Sequence, residues 1–332
     1  MTAPSILLAM HINDVFLQQV ARRGRVVGPM ASAFAEEVAA LPAATRADVS
    51  VLITVGTVPT SAATMALLPA LRLVCCLGSG YEGVDTAAAR ARGIVAAHSP
   101  AANASAVADI ALGLMIASVR RMFDANAFML RGEWTGNTVW RSRPVVGLTG
   151  RRAGIYGLGA IGERIALRAL ACEMEVAYHN RRPRADVAYP YFDTLLELAT
   201  WADVLIVAVR ADSSNRHTVD AGVLKALGPR GHVVNIARGA VIDEAALIAA
   251  LTDGTIEGAG LDVFEHEPDV PAALLALPNV ALTPHIGGAS EDAQAAMQAM
   301  VLANVDAFLA GRPVPTPVPE SEAAYPAAAA VR

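Results

Sequence analysis

The sequence predicts an α/β fold made of two successive series of parallel strands. Three observations carry this. Short apolar runs alternate with helical patterns along nearly the whole chain, as in parallel strands covered on both faces. A glycine-rich turn at 157–162 stands between an apolar run and a helical pattern in the second series. With 332 residues and a 54% apolar fraction, the chain has material for two cores of ordinary domain size.

In the first third, candidate strands fall at 6–10, 51–55, 73–77 and 94–97. One helix is expected over 33–41. Another begins near Asp85, whose side chain can cap it, and stops at Gly93. The uncharged stretch 49–71 is long enough to suggest a membrane span, but Gly56, Pro59 and Pro69 interrupt it, so it reads as strand, turn, helix, turn. A long helix, apolar on most faces, is expected over 104–131 and reads as buried between domains or in an oligomer interface. An irregular stretch with Gly and Trp follows to residue 150. The second series places strands at 153–156, 176–178, 204–209, 233–236, 260–263 and 280–282, then a helix over 291–309. From Pro313 the Pro- and Ala-rich tail is expected to be extended or disordered.

The glycine turn is Gly157-Leu158-Gly159-Ala160-Ile161-Gly162. A bare pattern of this kind is weak evidence, but here a strand precedes it, and Ile161, Ile165 and Ala169 give the face of a following helix. The first glycine permits the tight turn, the second admits a pyrophosphate to the backbone, and the third lets helix and strand pack closely. The helix N-terminus then offers free N–H groups and its positive dipole end to phosphates. About twenty residues on, where a carboxylate would hold an adenosine ribose, the sequence reads His179-Asn180-Arg181-Arg182. Two arginines and an amide suit a 2′-phosphate, so NADP(H) is expected over NAD(H).

Three residues past strand ends carry the chemistry. Arg238 lies in Asn235-Ile236-Ala237-Arg238-Gly239, Glu267 in Phe264-Glu265-His266-Glu267-Pro268, and His285 in Thr283-Pro284-His285-Ile286-Gly287-Gly288. A parallel sheet brings such ends to one edge. A guanidinium can hold a carboxylate and polarise a neighbouring carbonyl. Histidine can donate a proton near neutral pH, and a nearby carboxylate favours its charged form. Together they suit hydride transfer to or from a small 2-oxo acid.

Other classes are disfavoured. With 26 basic against 31 acidic residues, the chain has no charge excess for a nucleic acid or a membrane surface. Cys75, Cys76 and Cys172 show no metal-ligand spacing; the adjacent pair reads as buried core thiols, and the usage fits a reducing, cytoplasmic setting. His11, His98, His217, His232 and His266 form no metal-ligand grouping, so no metal is expected. There is no signal-peptide pattern and no G-x-S-x-G elbow.

At these motifs, and at Gly78-Ser79-Gly80-Tyr81-Glu82-Gly83-Val84-Asp85, the chain resembles the D-isomer-specific 2-hydroxyacid dehydrogenase family, in its glyoxylate/hydroxypyruvate reductase branch. The resemblance runs from about residue 5 to 318. It implies a flavodoxin-like substrate domain from 1–100 and 289–318, an inserted Rossmann NADP-binding domain over 101–288, and a tail over 319–332, with the active site in the cleft. It implies the roles given above for Arg238, Glu267 and His285, with the Ser79 and Gly80 amides binding the substrate carboxylate. Asp262 would meet the nicotinamide carboxamide, and Ile161, Val209, Ala237 and Gly287 would contact the cofactor. It also implies a homodimer joined through the nucleotide domains, with Trp140 resembling a tryptophan that reaches the partner's active site. The stretch Ser99-Pro100-Ala101-Ala102-Asn103-Ala104-Ser105 departs from the usual form. The loop Val55-Gly56-Thr57 has no basic side chain, which disfavours a phosphorylated substrate. A bulkier 2-oxo acid such as phenylpyruvate, hydroxyphenylpyruvate or 2-ketogluconate stays open, as does, more remotely, a nucleotide-sensing corepressor-like binding protein.

Overall fold

The computed structural model describes residues 4–30, 33–135 and 145–322. They form two compact units. One comprises Met1–Asn103 with Glu291–Arg332, the other Ala104–Ser290.

In the first unit β1 (Ser5–Leu8), β2 (Arg25–Val27), β3 (Val49–Thr54), β4 (Leu73–Cys76) and β5 (Val95–Ala97) make a parallel sheet in the order β2-β1-β3-β4-β5. This is the flavodoxin-like doubly wound order. β2 was not expected from the sequence: its three residues are only partly buried or exposed, so no apolar run marks it. The centre of the sheet is buried on both sides, with Leu7, Leu52 and Val74 in one core and Ile6, Val51 and Leu73 in the other. Cys75 and Cys76 are buried in β4, and burial pushes both thiols well above the usual range. The segment 49–71 resolves into β3 and the helix Ala62–Ala66. No helix among the described residues is long and apolar enough to cross a membrane.

The expected extended tail is corrected in part. Residues from Pro313 run along the edge of β5, where Val318 N–H donates to Ala96 O at 2.9 Å and Thr316 Oγ1 donates to His98 O at 2.6 Å. The chain then turns helical at Pro319–Glu322. Val318 is fully buried and Ser321 Oγ accepts from Ala96 N–H, so the segment covers a sheet edge that would otherwise expose its hydrogen-bonding groups.

In the second unit β6 (Arg152–Tyr156), β7 (Glu175–His179), β8 (Val204–Val207), β9 (His232–Asn235), β10 (Gly258–Leu261) and β11 (Val280–Leu282) form a parallel sheet in the order β11-β10-β9-β8-β6-β7. Chain order reverses between β6 and β8, and open α/β sheets bind ligands at such a switch point. The long helix expected over 104–131 is instead two, Ala104–Val119 and Met122–Leu130. The break is at Arg121, which takes a left-handed φ of 52° and pairs with Asp124 at 3.0 Å. The first helix is buried against the sheet, while the second leaves Met122, Phe123, Met129 and Leu130 exposed.

Candidate active site

The turn after β6 shows why glycine is needed. Gly157 has φ +104°, and a Cβ on it would stand 2.6 Å from Val209 N. A Cβ on Gly162 would stand 2.2 Å from Gly157 O, so strand and helix meet backbone to backbone. Gly159 differs: nothing lies within 4 Å of where its Cβ would be. It caps the helix Ala160–Ala171 with no side-chain hydrogen bond, so the first turn offers its N–H groups to an outside acceptor. Leu158 N–H is already taken by Asn180 Oδ1 at 2.7 Å, which ties the turn to the end of β7. Open space, an uncapped helix N-terminus and a dipole end together fit the pyrophosphate of a dinucleotide. Ile161 sits half-buried in the first helical turn, Val209 half-buried past β8, and Ala237 buried past β9.

At the end of β7, Arg181 and Arg182 are both exposed. Arg181 Nη1 lies 3.7 Å from Asp212 Oδ2 across the switch point. Arg184, unremarked in the sequence, braces the turn. It donates to Leu158 O at 3.1 Å and pairs with Glu163 and Asp186, which together raise its pKa.

The proton-handling groups lie past β9, β10 and β11. His285 Nδ1 is 2.6 Å from Glu267 Oε2, and Glu267 Oε1 accepts from Phe264 N–H at 3.0 Å. Partial burial pushes the Glu267 carboxyl up, but the His285 and Phe264 hydrogen bonds and the charges of His285 and Arg238 outweigh it, leaving the group below its ordinary value. An ionised carboxylate can only accept, so Nδ1 carries the hydrogen of this bond and Nε2 is left for other chemistry. Arg238 is half-buried and donates from Nη1 to Ala237 O at 2.7 Å. Its loop is fixed by Asn235, buried at the end of β9, which accepts from Ala237 N–H and donates to Arg238 O.

Asp262, expected beside the nicotinamide carboxamide, is 2% exposed, and both its carboxylate oxygens accept hydrogen bonds from the segment around His285. Its Oδ1 accepts from Thr283 Oγ1 at 2.6 Å and Ile286 N–H at 2.8 Å, and its Oδ2 accepts from Gly287 N–H at 2.8 Å. It clamps both flanks of His285, whose own backbone is left-handed at φ 51°. Sequence reading missed this clamp because its partners lie 21 to 25 residues away, and the stretch around His285 does not say which acid its N–H groups and hydroxyl meet. It also missed a second pair, His217 Nε2 to Glu265 Oε1 at 2.9 Å, where Arg216 joins the same carboxylate.

In the other unit, Ser79 Oγ donates to Asn103 Oδ1 and Ser99 O, and Ser79 O lies 2.8 Å from His98 Nδ1. Ser79 and Gly80 are half-buried. Trp140 lies outside the described residues.

Residues 112–287 match the family model described as the D-isomer specific 2-hydroxyacid dehydrogenase, NAD binding domain. The chain is 38% identical over 251 residues to the glyoxylate/hydroxypyruvate reductase A of Arabidopsis thaliana, covering 76% of this chain and 79% of that one. It is 36% identical over 251 residues to a hydroxyphenylpyruvate reductase of Plectranthus scutellarioides, again covering 76% and 79%. Among solved structures it is similar to the NADPH-dependent glyoxylate/hydroxypyruvate reductase of Sinorhizobium meliloti in complex with NADP and malonate. There the TM-score is 0.88 at 38% identity, covering 96% of this chain and 98% of that one.

Proposed function

The chain belongs to the D-isomer-specific 2-hydroxyacid dehydrogenase family, and from that premise we propose that it is an NADPH-dependent reductase of a small 2-oxo acid such as glyoxylate or hydroxypyruvate. The observation that carries the reading is the 2.6 Å His285–Glu267 pair at the same sheet edge as Arg238 and the glycine turn.

The roles follow from the groups present. A dinucleotide held by its pyrophosphate at the glycine turn would supply, from its nicotinamide, the hydride that the carbonyl carbon receives. Arg238 holds the substrate carboxylate and polarises the carbonyl, and the Ser79 and Gly80 amides take the carboxylate oxygens. His285 delivers the proton from Nε2 to the carbonyl oxygen while Nδ1–H stays on Glu267. The product is the D-2-hydroxy acid, and the imidazole regains its proton from water. Asn180, Arg181 and Arg182 read the adenosine 2′-phosphate, which supports NADPH over NADH. The Sinorhizobium relative holds NADP, which supports the same choice.

We place the dinucleotide on Ala104–Ser290 and infer a homodimer through that unit. The exposed apolar side chains of Met122–Leu130 support this, and light scattering on the purified protein tests it. Cysteine usage supports a cytoplasmic setting.

The test crosses NADPH and NADH with glyoxylate, hydroxypyruvate and phenylpyruvate, following nicotinamide absorbance. Fast turnover with NADPH and the two small acids is expected. The hydroxyphenylpyruvate reductase among the relatives keeps a bulkier substrate as the second reading. A preference for phenylpyruvate selects it. A preference for NADH removes the role given to Arg181 and Arg182.

A further inference from the structure

The glycine turn touches the segment after β8, since the missing Cβ of Gly157 would meet Val209 N at 2.6 Å. That segment continues through Arg210 to Asp212. On the other side of β6, β7 ends in Asn180, Arg181 and Arg182. The two strand ends meet over the switch point through the Arg181–Asp212 pair, in which 83% of the Arg181 side chain and 31% of the Asp212 side chain are exposed.

The segment bearing Arg210 and Asp212 is a built loop. Asn215, 9% exposed, donates from Nδ2 to Arg210 O at 2.7 Å and accepts Asp212 N–H on Oδ1 at 2.9 Å. Ser214 N–H donates to Asp212 Oδ1 at 2.8 Å, and the Ser214 hydroxyl bonds the same oxygen. The Ser214 hydrogen bonds hold the Asp212 carboxyl below the usual carboxylate range, and the positive charges of Arg181 and Arg210 add to them. Asp212 is thus a fixed anion, paired with Arg181 from the end of β7 and held in the charge of Arg210, two residues before it.

We propose that Arg181 and Arg210 bracket the adenosine 2′-phosphate from the ends of β7 and β8, and that Asp212 is the internal anion the phosphate displaces. The inference rests on the NADP(H) reading above and adds two determinants with opposite signs. Arg210 favours the 2′-phosphate. Asp212, held in place by Ser214, competes for Arg181 and repels the incoming charge. An exposed ion pair at this separation is weak. A phosphate carrying nearly two charges and three acceptor oxygens binds guanidiniums more strongly, so the exchange runs toward ligand.

Calorimetric titration of the full chain with adenosine 2′,5′-bisphosphate and with 5′-AMP isolates the 2′-phosphate without turnover. The wild type should prefer the bisphosphate. Arg210→Ala should cut that preference about tenfold, the loss of one hydrogen bond to a charged group, with 5′-AMP affinity unchanged. Asp212→Asn should raise the preference by about threefold. A matched circular dichroism melt shows that each variant is folded. If Arg210→Ala weakens both ligands equally, Arg210 meets the adenine and the inference falls. If Asp212→Asn lowers the preference or leaves it unchanged, Asp212 orients Arg181 and the displacement falls. If Arg181→Ala abolishes the preference while Arg210→Ala keeps it, the NADP(H) reading stands without this inference. If the wild type binds both ligands equally, both fall.

Discussion

The two ends of the six-stranded sheet are built to different tolerances. Past β10 and β11, both oxygens of Glu267 and both oxygens of Asp262 accept hydrogen bonds of 2.6 to 3.0 Å, and His285 is clamped on either side. At β7, Arg181 leans on Asp212 at 3.7 Å with most of its side chain in solvent. A group that passes a proton in a transition state must already be in place when the reaction starts. A group that reads a phosphate can close on it after binding, because a long guanidinium side chain reorients at little cost. On the proposed roles, the difference marks where rigidity is required: at the chemistry, and less at the selection of the cofactor.

The comparison breaks most directly at His285. His285→Ala should lower turnover by about 10² to 10⁴, the usual worth of a positioned acid, while NADPH binding measured by fluorescence stays unchanged. Turnover near the wild-type value would remove the proton-donor role and with it the need for a rigid edge. Asp262→Ala comes next. It strands the Ile286 and Gly287 N–H groups and the Thr283 hydroxyl, each at roughly 1–3 kcal/mol if it stays buried and unpaired. Turnover should fall about tenfold or more, with the melting temperature down by about 5 °C. A variant that melts lower yet turns over normally would show that His285 needs no clamp.

The middle of the sheet gives a smaller and cleaner effect. Gly159→Ala adds a methyl group to open space, so the melting temperature should not move, but dinucleotide affinity should fall about tenfold if the pyrophosphate fills that space. Gly162→Ala sets a Cβ against Gly157 O and should cost about 1–3 kcal/mol of stability. Equal melting losses in the two variants would mean that the open side of the turn is not a ligand cradle.

Much of this was legible in the sequence, for physical reasons. Buried parallel strands are nearly continuous apolar runs, so β3, β4, β6, β8 and β9 stood out, and the glycine turn had the spacing its sterics impose. Arg238, Glu267 and His285 were visible because each follows such a run. β2 was hidden because it is short and only partly buried. The break at Arg121 was hidden because a left-handed arginine leaves no signature in a run that is apolar on both sides. The Asp262 clamp and the Arg184 brace were hidden because their partners are distant in sequence and become neighbours only in the folded sheet. Motifs report local backbone needs, while supporting hydrogen bonds depend on topology.

The smallest expected effect concerns pH, and it tests the rigid edge from the side of Glu267. Burial raises the pKa of this carboxyl, yet the hydrogen bonds from His285 and Phe264 and the neighbouring positive charges bring it below the ordinary value. A carboxyl with a depressed folded pKa contributes stability above its unfolded pKa, near 4.3, and that contribution is lost as pH falls through the lower folded value. Glu267→Gln keeps the shape and an acceptor oxygen but cannot ionise. The gap in denaturant unfolding free energy between wild type and Glu267→Gln should therefore be present at neutral pH and close only below the ordinary carboxylate range. A gap that instead closes above pH 5 would mean that Glu267 is not held ionised by its partners. The Nδ1–H assignment of His285 would then lose its basis, and with it the assignment of Nε2 as the proton-delivering atom.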